Sequence, residues 1–252
     1  MARIVGVHGA FHQLWGPNQL KSRWLPAVRD GLRHATQDVA DDDFAMAFYG
    51  DVFRPDVAAG RPDREELLEL AERSGLIEVI EDHLGPGGLE ALAVEIGRET
   101  LRQLIHQLGR YFADSSIRDE VRSRFIEVVD SDTEVIVAHS MGTVVAYECL
   151  AAHAEWSPHT FITLGSPLGG DFVFPNLEPA PVAGLGAWPG SITTWTNVAA
   201  IDDTIVRIPE LATRFGPDVS DVAVDNGHRA HDAEPYLNAP ATGRAIAAGL
   251  AG

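Results

Sequence analysis

Glu134-Val135-Ile136-Val137-Ala138-His139-Ser140-Met141-Gly142 decides the fold of this chain. An apolar run delivers a serine, and Thr143 to Leu150 continues as a helix-like apolar segment. A serine at a sharp strand-to-helix turn, with small residues two before and two after, has the pattern of a nucleophile elbow. Ala138 and Gly142 fill the two flanking positions. Larger side chains there would collide with neighbouring backbone. Alanine in place of the usual glycine at the first position is a mild departure. The plainer alternative is a serine that only caps a helix.

A serine hydroxyl is a weak nucleophile. It needs a base within hydrogen-bond reach and donors placed where negative charge develops. The elbow aims the N–H of Met141 at that charge, and the N-terminus of the following helix adds a favourable partial positive charge. A second donor is expected early in the chain. Arg3-Ile4-Val5-Gly6-Val7 reads as a buried strand, and His8-Gly9-Ala10-Phe11 leaves it. The N–H of Ala10 is the expected donor, and Gly9 allows close backbone approach. Phe11 and His139 flank these donors and are expected against the substrate.

These residues resemble those of the α/β-hydrolase superfamily, in its lipase, esterase and thioesterase branches. The resemblance covers most of the chain and is least specific in the middle third. It implies a single α/β domain over residues 1–252, with a mostly parallel sheet flanked by helices and an inserted helical cap. It also implies a triad in the order serine, acid, histidine. Ser191 to Val198 is rich in β-branched residues and reads as a strand. Family loops after such a strand commonly read Asp, two residues, Val. Asp203 and Val206 match, so Asp203 is the first choice for the acid, with Asp202 in reserve. His231 is the first choice for the base, because it opens a His-Asp-x-x-x-Tyr-Leu setting over residues 231–237 that family members often carry. His228 is in reserve.

The implied reaction is cleavage of a carboxylic ester through an acyl-enzyme on Ser140. A thioesterase or acyltransferase working on a carrier- or CoA-bound acyl chain is the alternative, with an acyl carrier protein as a conceivable partner. A non-catalytic ligand-binding protein of the same fold is the rival from another class. Nothing calls for a cofactor. The chain has no dinucleotide fingerprint after its first strand and no phosphate loop. His8 and His12 are four apart, but the stretch is not helical and no glutamate lies between them, so no metal is expected.

The chain has 252 residues, and its 45% hydrophobic and 22% charged content is that of an ordinary globular domain. Its formal net charge of -18 argues against nucleic acid and anionic membrane as partners, since both need basic patches. Lys21 is the only lysine, which with abundant Ala, Gly and Asp suggests a GC-rich bacterial genome. Cys149 is the only cysteine, so no intrachain disulfide is expected. Met1-Ala2-Arg3 leads directly into a strand with no signal-peptide pattern, and no run is long enough for a membrane span. A cytoplasmic location is the expectation.

Along the chain, Leu20, Trp24, Val28 and Leu32 recur every four residues and predict a helix over 19–34, with a kink or late start at Pro26. Phe44 to Tyr49 reads as the second strand. From Arg54 to about Asp130 helical patterns replace strands, and the excess length predicts the cap over about 54–112. These helices could equally pack on the sheet without touching substrate. Thr160–Leu164 and Val219–Val224 read as further strands, and Thr242–Leu250 as the closing helix. The Pro- and Gly-rich stretch 171–190 is expected to form a pocket wall through Phe172, Phe174 and Trp188. Ser166 has Leu164 and Leu168 two residues away, too large for an elbow.

Overall fold

The computed structural model describes residues 2–55, 64–77 and 103–252. In chain order these form β1 (Ile4–Val7), α1 (Pro17–Leu32), β2 (Phe44–Ala47), α2 (Arg64–Arg73), α3 (Arg110–Ala113) and α4 (Ser115–Ile126). There follow β3 (Val135–His139), α5 (Met141–Ala152), β4 (Thr160–Leu164) and β5 (Thr194–Ala200). The chain ends with α6 (Ala212–Phe215), β6 (Val219–Val224), α7 (Ala233–Asn238) and α8 (Pro240–Leu250). The six strands make one parallel sheet in the order β2-β1-β3-β4-β5-β6. This is an α/β fold.

The strands explain themselves by burial. β1, β3 and β4 are buried at every position, as runs covered on both faces must be. Their side chains alternate between two cores. Val5, Val7, Ile136 and Ala138 face one, with α5, Val121 and Phe125 of α4, and Leu67 and Leu70 of α2. Ile4, Val135, Val137 and Ile162 face the other, with Trp24 and Val28 of α1, Tyr236 of α7 and Ile246 of α8. The molecule is thus a helix–sheet–helix sandwich.

The four residues expected on the buried face of the first helix are all buried. The helix starts earlier than predicted, with Pro17 in its first turn, and runs through Pro26. Pro26 lies on the exposed side, where water can reach the carbonyl it leaves unpaired. β2 stops at Ala47, short of the expected Tyr49. The Tyr49 N–H leaves the ladder and donates to His8 Nε2 at 3.1 Å. β5 begins three residues later than expected, because Ile192 closes a turn onto the Pro189 carbonyl.

Of the expected cap, residues 56–63 and 78–102 lie outside the described residues. The described parts pack into the first core. Leu67, Leu70, Ala71, Ile105 and Tyr111 are buried in the same cluster as Val5 and Ile136. Among the described residues, no strand lies between Arg54 and Asp130 and no helix is long and apolar enough to cross a membrane.

The strand order reverses direction at the β1–β3 pair, since β2 lies on one side and β4 to β6 on the other. In open α/β sheets, the crevice outside the carboxyl ends of the strands at such a point is where ligands bind. The loop after β1 carries Gly9 and Ala10, and the turn after β3 carries Ser140.

Candidate active site

Ser140 sits between β3 and α5 with φ 53° and ψ -130°. A positive φ at a non-glycine residue costs on the order of 1–3 kcal/mol, and surrounding packing must hold it. The Ser140 N–H stays in the sheet and donates to Leu164 O at 3.0 Å. Gly142 then passes so close to β1 that a Cβ would collide with the carbonyl oxygens of Val7 and His8. This is the physical reason for the small residue two after the serine. Gly9 is equally tight, since a Cβ there would lie 2.7 Å from the Ser140 Cβ.

Three expected residues meet in line. Ser140 Oγ lies 2.9 Å from His231 Nε2. His231 Nδ1 lies 2.8 Å from Asp203 Oδ2 and 3.0 Å from Oδ1. The carboxylate accepts, so Nδ1 carries the proton and Nε2 offers its lone pair to the serine. That is the tautomer a general base needs. The Asp203 side chain is fully buried, and further donors hold it. The Tyr236 hydroxyl donates to Oδ2 at 2.7 Å and the Ile205 N–H to Oδ1 at 3.0 Å. Tyr236 in turn accepts the Ala200 N–H at the end of β5. Burial and its bond to Asp203 push the Tyr236 phenol well above its ordinary range, so it stays a donor. The reserve residues Asp202 and His228 are both exposed and have no part in this line.

His231 is held from behind. His139 Nε2–H donates to the His231 carbonyl at 2.8 Å, tying β3, which leads into Ser140, to the loop that carries His231. His139 Nδ1 is buried without a partner. Burial, with the adjacent His231 second, holds the His139 pKa well below the ordinary imidazole value, so His139 is neutral.

Two peptide units complete the site. The Gly9 carbonyl accepts from His8 Nδ1 at 2.6 Å and from His12 Nδ1 at 3.2 Å. A trans peptide is planar, so pinning the Gly9 oxygen turns the Ala10 N–H the opposite way. The Ser140 carbonyl accepts from the Thr143 N–H at 2.9 Å and the Thr143 hydroxyl at 2.7 Å, which orients the Met141 N–H in the same manner. Among the described residues neither the Ala10 nor the Met141 N–H has an acceptor. His8 itself is rigid. It stacks on Tyr49 at 4.1 Å and accepts the Tyr49 N–H at Nε2. With one nitrogen donating and the other accepting, His8 has no lone pair left for a metal. Among the described residues no group of three or more His, Cys, Asp or Glu could hold one.

No family model, curated protein or solved structure matches this chain.

A pocket of about 270 Å³ opens onto Ser140 and His231. Phe11, Trp15 and Trp24 give it aromatic walls, and His139 lies beside the serine. Its rim carries alternating charges. Arg23 meets Glu234 at 2.9 Å, and Arg229 meets Glu234 at 3.2 Å and Asp232 at 2.5 Å. The rim is therefore locally neutral on a chain of formal net charge -18. Phe172 and Trp188 do not line this pocket. Phe172 is buried against Phe112, and Trp188 packs on Trp195 with its indole N–H on Ile192 O. Phe174 is likewise buried, against Phe215. The apolar residues of that stretch serve the core because α5 and β5 leave apolar surface there to cover. Sequence reasoning missed Thr143, Tyr49 and the holding roles of His8 and His12. The short His8–His12 spacing was visible, but a hydrogen bond to an intervening carbonyl leaves no mark in residue types.

Proposed function

We propose that this protein is a serine hydrolase of the α/β-hydrolase type that cleaves a carboxylic ester through an acyl-enzyme on Ser140. The observation that carries the reading is the hydrogen-bonded line Ser140–His231–Asp203, beside two peptide N–H groups that have no acceptor among the described residues. Ser140 Oγ attacks the ester carbonyl as His231 Nε2 takes its proton. Negative charge gathers on the carbonyl oxygen, which the Ala10 and Met141 N–H groups receive. Each such donor is worth about 3 kcal/mol of barrier. Asp203 keeps the imidazole in the correct tautomer and stabilises the imidazolium. His231 returns the proton to the leaving alkoxide, and the alcohol departs. Water then repeats the sequence on the acyl-enzyme and releases the acid. The modest, aromatic-walled pocket and its neutral rim favour an ester with a compact group on that side of the serine.

The test is intact mass after treatment with a fluorophosphonate, on wild type and Ser140→Ala, followed by turnover of short-chain esters. One adduct on wild type, absent in the variant, together with ester turnover that the variant loses, is the expected result. A wild type that takes no adduct and turns over no ester, or a Ser140→Ala variant that retains turnover, overturns the proposal.

A further inference from the structure

We infer that Gln107 is a positioning residue for the oxyanion donor Ala10, acting from outside the loop that carries it. The inference rests on the acyl-transfer reading above.

Two peptide units flank Ala10. The one before it is held through the Gly9 oxygen, as described. The one after it is held by Gln107, whose Oε1 accepts the Phe11 N–H at 3.1 Å across 96 positions of sequence. Phe11 has φ 70°, a left-handed conformation that an aromatic residue rarely adopts unaided. Phe11 is 40% exposed, so packing alone does not impose this backbone. The Gln107 bond does. Released from it, Phe11 returns toward negative φ and the Ala10–Phe11 peptide rotates, which leaves the Gly9 oxygen as the one remaining hold on Ala10 and loosens the aim of its N–H at the oxygen above Ser140.

Gln107 is itself fixed. It is 3% exposed, and its amide donates to Gln13 Oε1 at 3.0 Å. Gln13 donates onward to Gln103 Oε1 at 2.9 Å. Three glutamines thus link the loop after β1 to the helix over 103–113. Gln107 occupies the middle of a π-turn, Ile105–Gly109, within that helix. Such widened turns are uncommon and concentrate at functional sites. A chain of neutral amides with Gln13 and Gln107 buried contributes little to a core that Leu or Met would fill better, but it fixes direction as apolar packing does not.

The residue touches neither substrate nor the reacting atoms, so its signature is a selective one. In Gln107→Met, kcat on a short-chain ester, expressed per fluorophosphonate-titrated Ser140, falls about tenfold to a hundredfold, since small misplacements of such groups carry losses of that order. KM stays within about twofold. The inhibition constant of a simple alkylboronic acid, whose tetrahedral adduct on Ser140 places an oxygen in the same position, rises by the factor that kcat/KM falls. A purely structural role would lower Tm and the fraction of titratable sites and leave kcat per site unchanged, and that result overturns the inference. If Gln107→Met does not fold, Gln13→Leu carries the test. It removes the support of Gln107 without touching the Phe11 bond, and a several-fold loss in kcat per site is expected, with no loss overturning the inference. A wild type inert toward esters overturns the hydrolase reading and this one together. An active wild type with an unchanged variant overturns only the role of Gln107.

Discussion

Acid destabilises this fold through His8. The imidazole is completely buried, stacked on Tyr49, and spends both nitrogens, one donating to Gly9 O and one accepting from Tyr49 N–H. A second proton would land on Nε2, facing another N–H. Burial first, and the neighbouring His12 second, lower its pKa to about 3. In the unfolded chain a histidine titrates near ~6.5. Between these values the unfolded state binds a proton that the folded state refuses. Stability is therefore complete above about pH 6.5 and falls as pH drops toward 3, by about 1.4 kcal/mol per pH unit. From pH 7 to pH 5 the loss assigned to His8 is about 2 kcal/mol. His139, also lowered by burial, adds in the same direction. The assay is urea unfolding at pH 7, 6 and 5 for wild type and His8→Asn, whose amide keeps a donor near Gly9 and does not titrate. Wild type should lose about 2 kcal/mol more than the variant over that range. Equal losses would refute the reasoning, because they would mean that His8 accepts its second proton inside the fold.

Two further substitutions probe the groups behind the site. Tyr236→Phe removes one donor from Asp203 and the acceptor of the Ala200 N–H, both buried, and should lower stability by about 3 kcal/mol in urea unfolding; a change under about 1 kcal/mol would mean that neither group needs the phenol. Arg118→Met leaves Glu148, whose side chain is fully buried, with Arg122, Tyr111 and the Glu178 N–H as its remaining partners, and should cost about 3 kcal/mol. Adding Glu148→Gln should recover most of that loss, and a double variant no better than Arg118→Met would show that the buried charge is not the cause.

What could be read from residue types was the part of the molecule governed by local sequence. The β-runs at 135–139 and 160–164 are mostly apolar or β-branched and carry no charge, because both faces of a parallel sheet are covered, and that pattern needs no third dimension. The Leu20-Trp24-Val28-Leu32 stripe is likewise a property of one helix. Ser140, Asp203 and His231 could be nominated because a tight turn and two late loops leave local signatures, although only the coordinates bring them together. The rest depends on contacts distant in sequence. Nothing in Gln107 announces that it will meet Phe11, and nothing in Glu148 announces Arg118 and Arg122. Glu148 looks like a surface residue on its helix until a second helical layer is laid over it. Phe172 and Trp188 illustrate the opposite hazard. Aromatic residues in an irregular loop are as ready to plug a core as to line a pocket, and hydrophobicity alone does not separate the two.

Helix α5 is buried from Met141 through Leu150, on every side. It therefore has no wet face along which to fray, and its amides belong to the unit that opens only when the whole domain opens. Ser140 is anchored to that unit. Asp203 and His231 lie instead on the loops after β5 and β6, tied back by the Tyr236 hydroxyl and by His139 Nε2. On the acyl-transfer reading proposed above, warming is expected to loosen these loop ties before Ser140 itself moves. If Ser140 is the nucleophile we propose, loss of turnover on warming and melting of the fold would be two separate events.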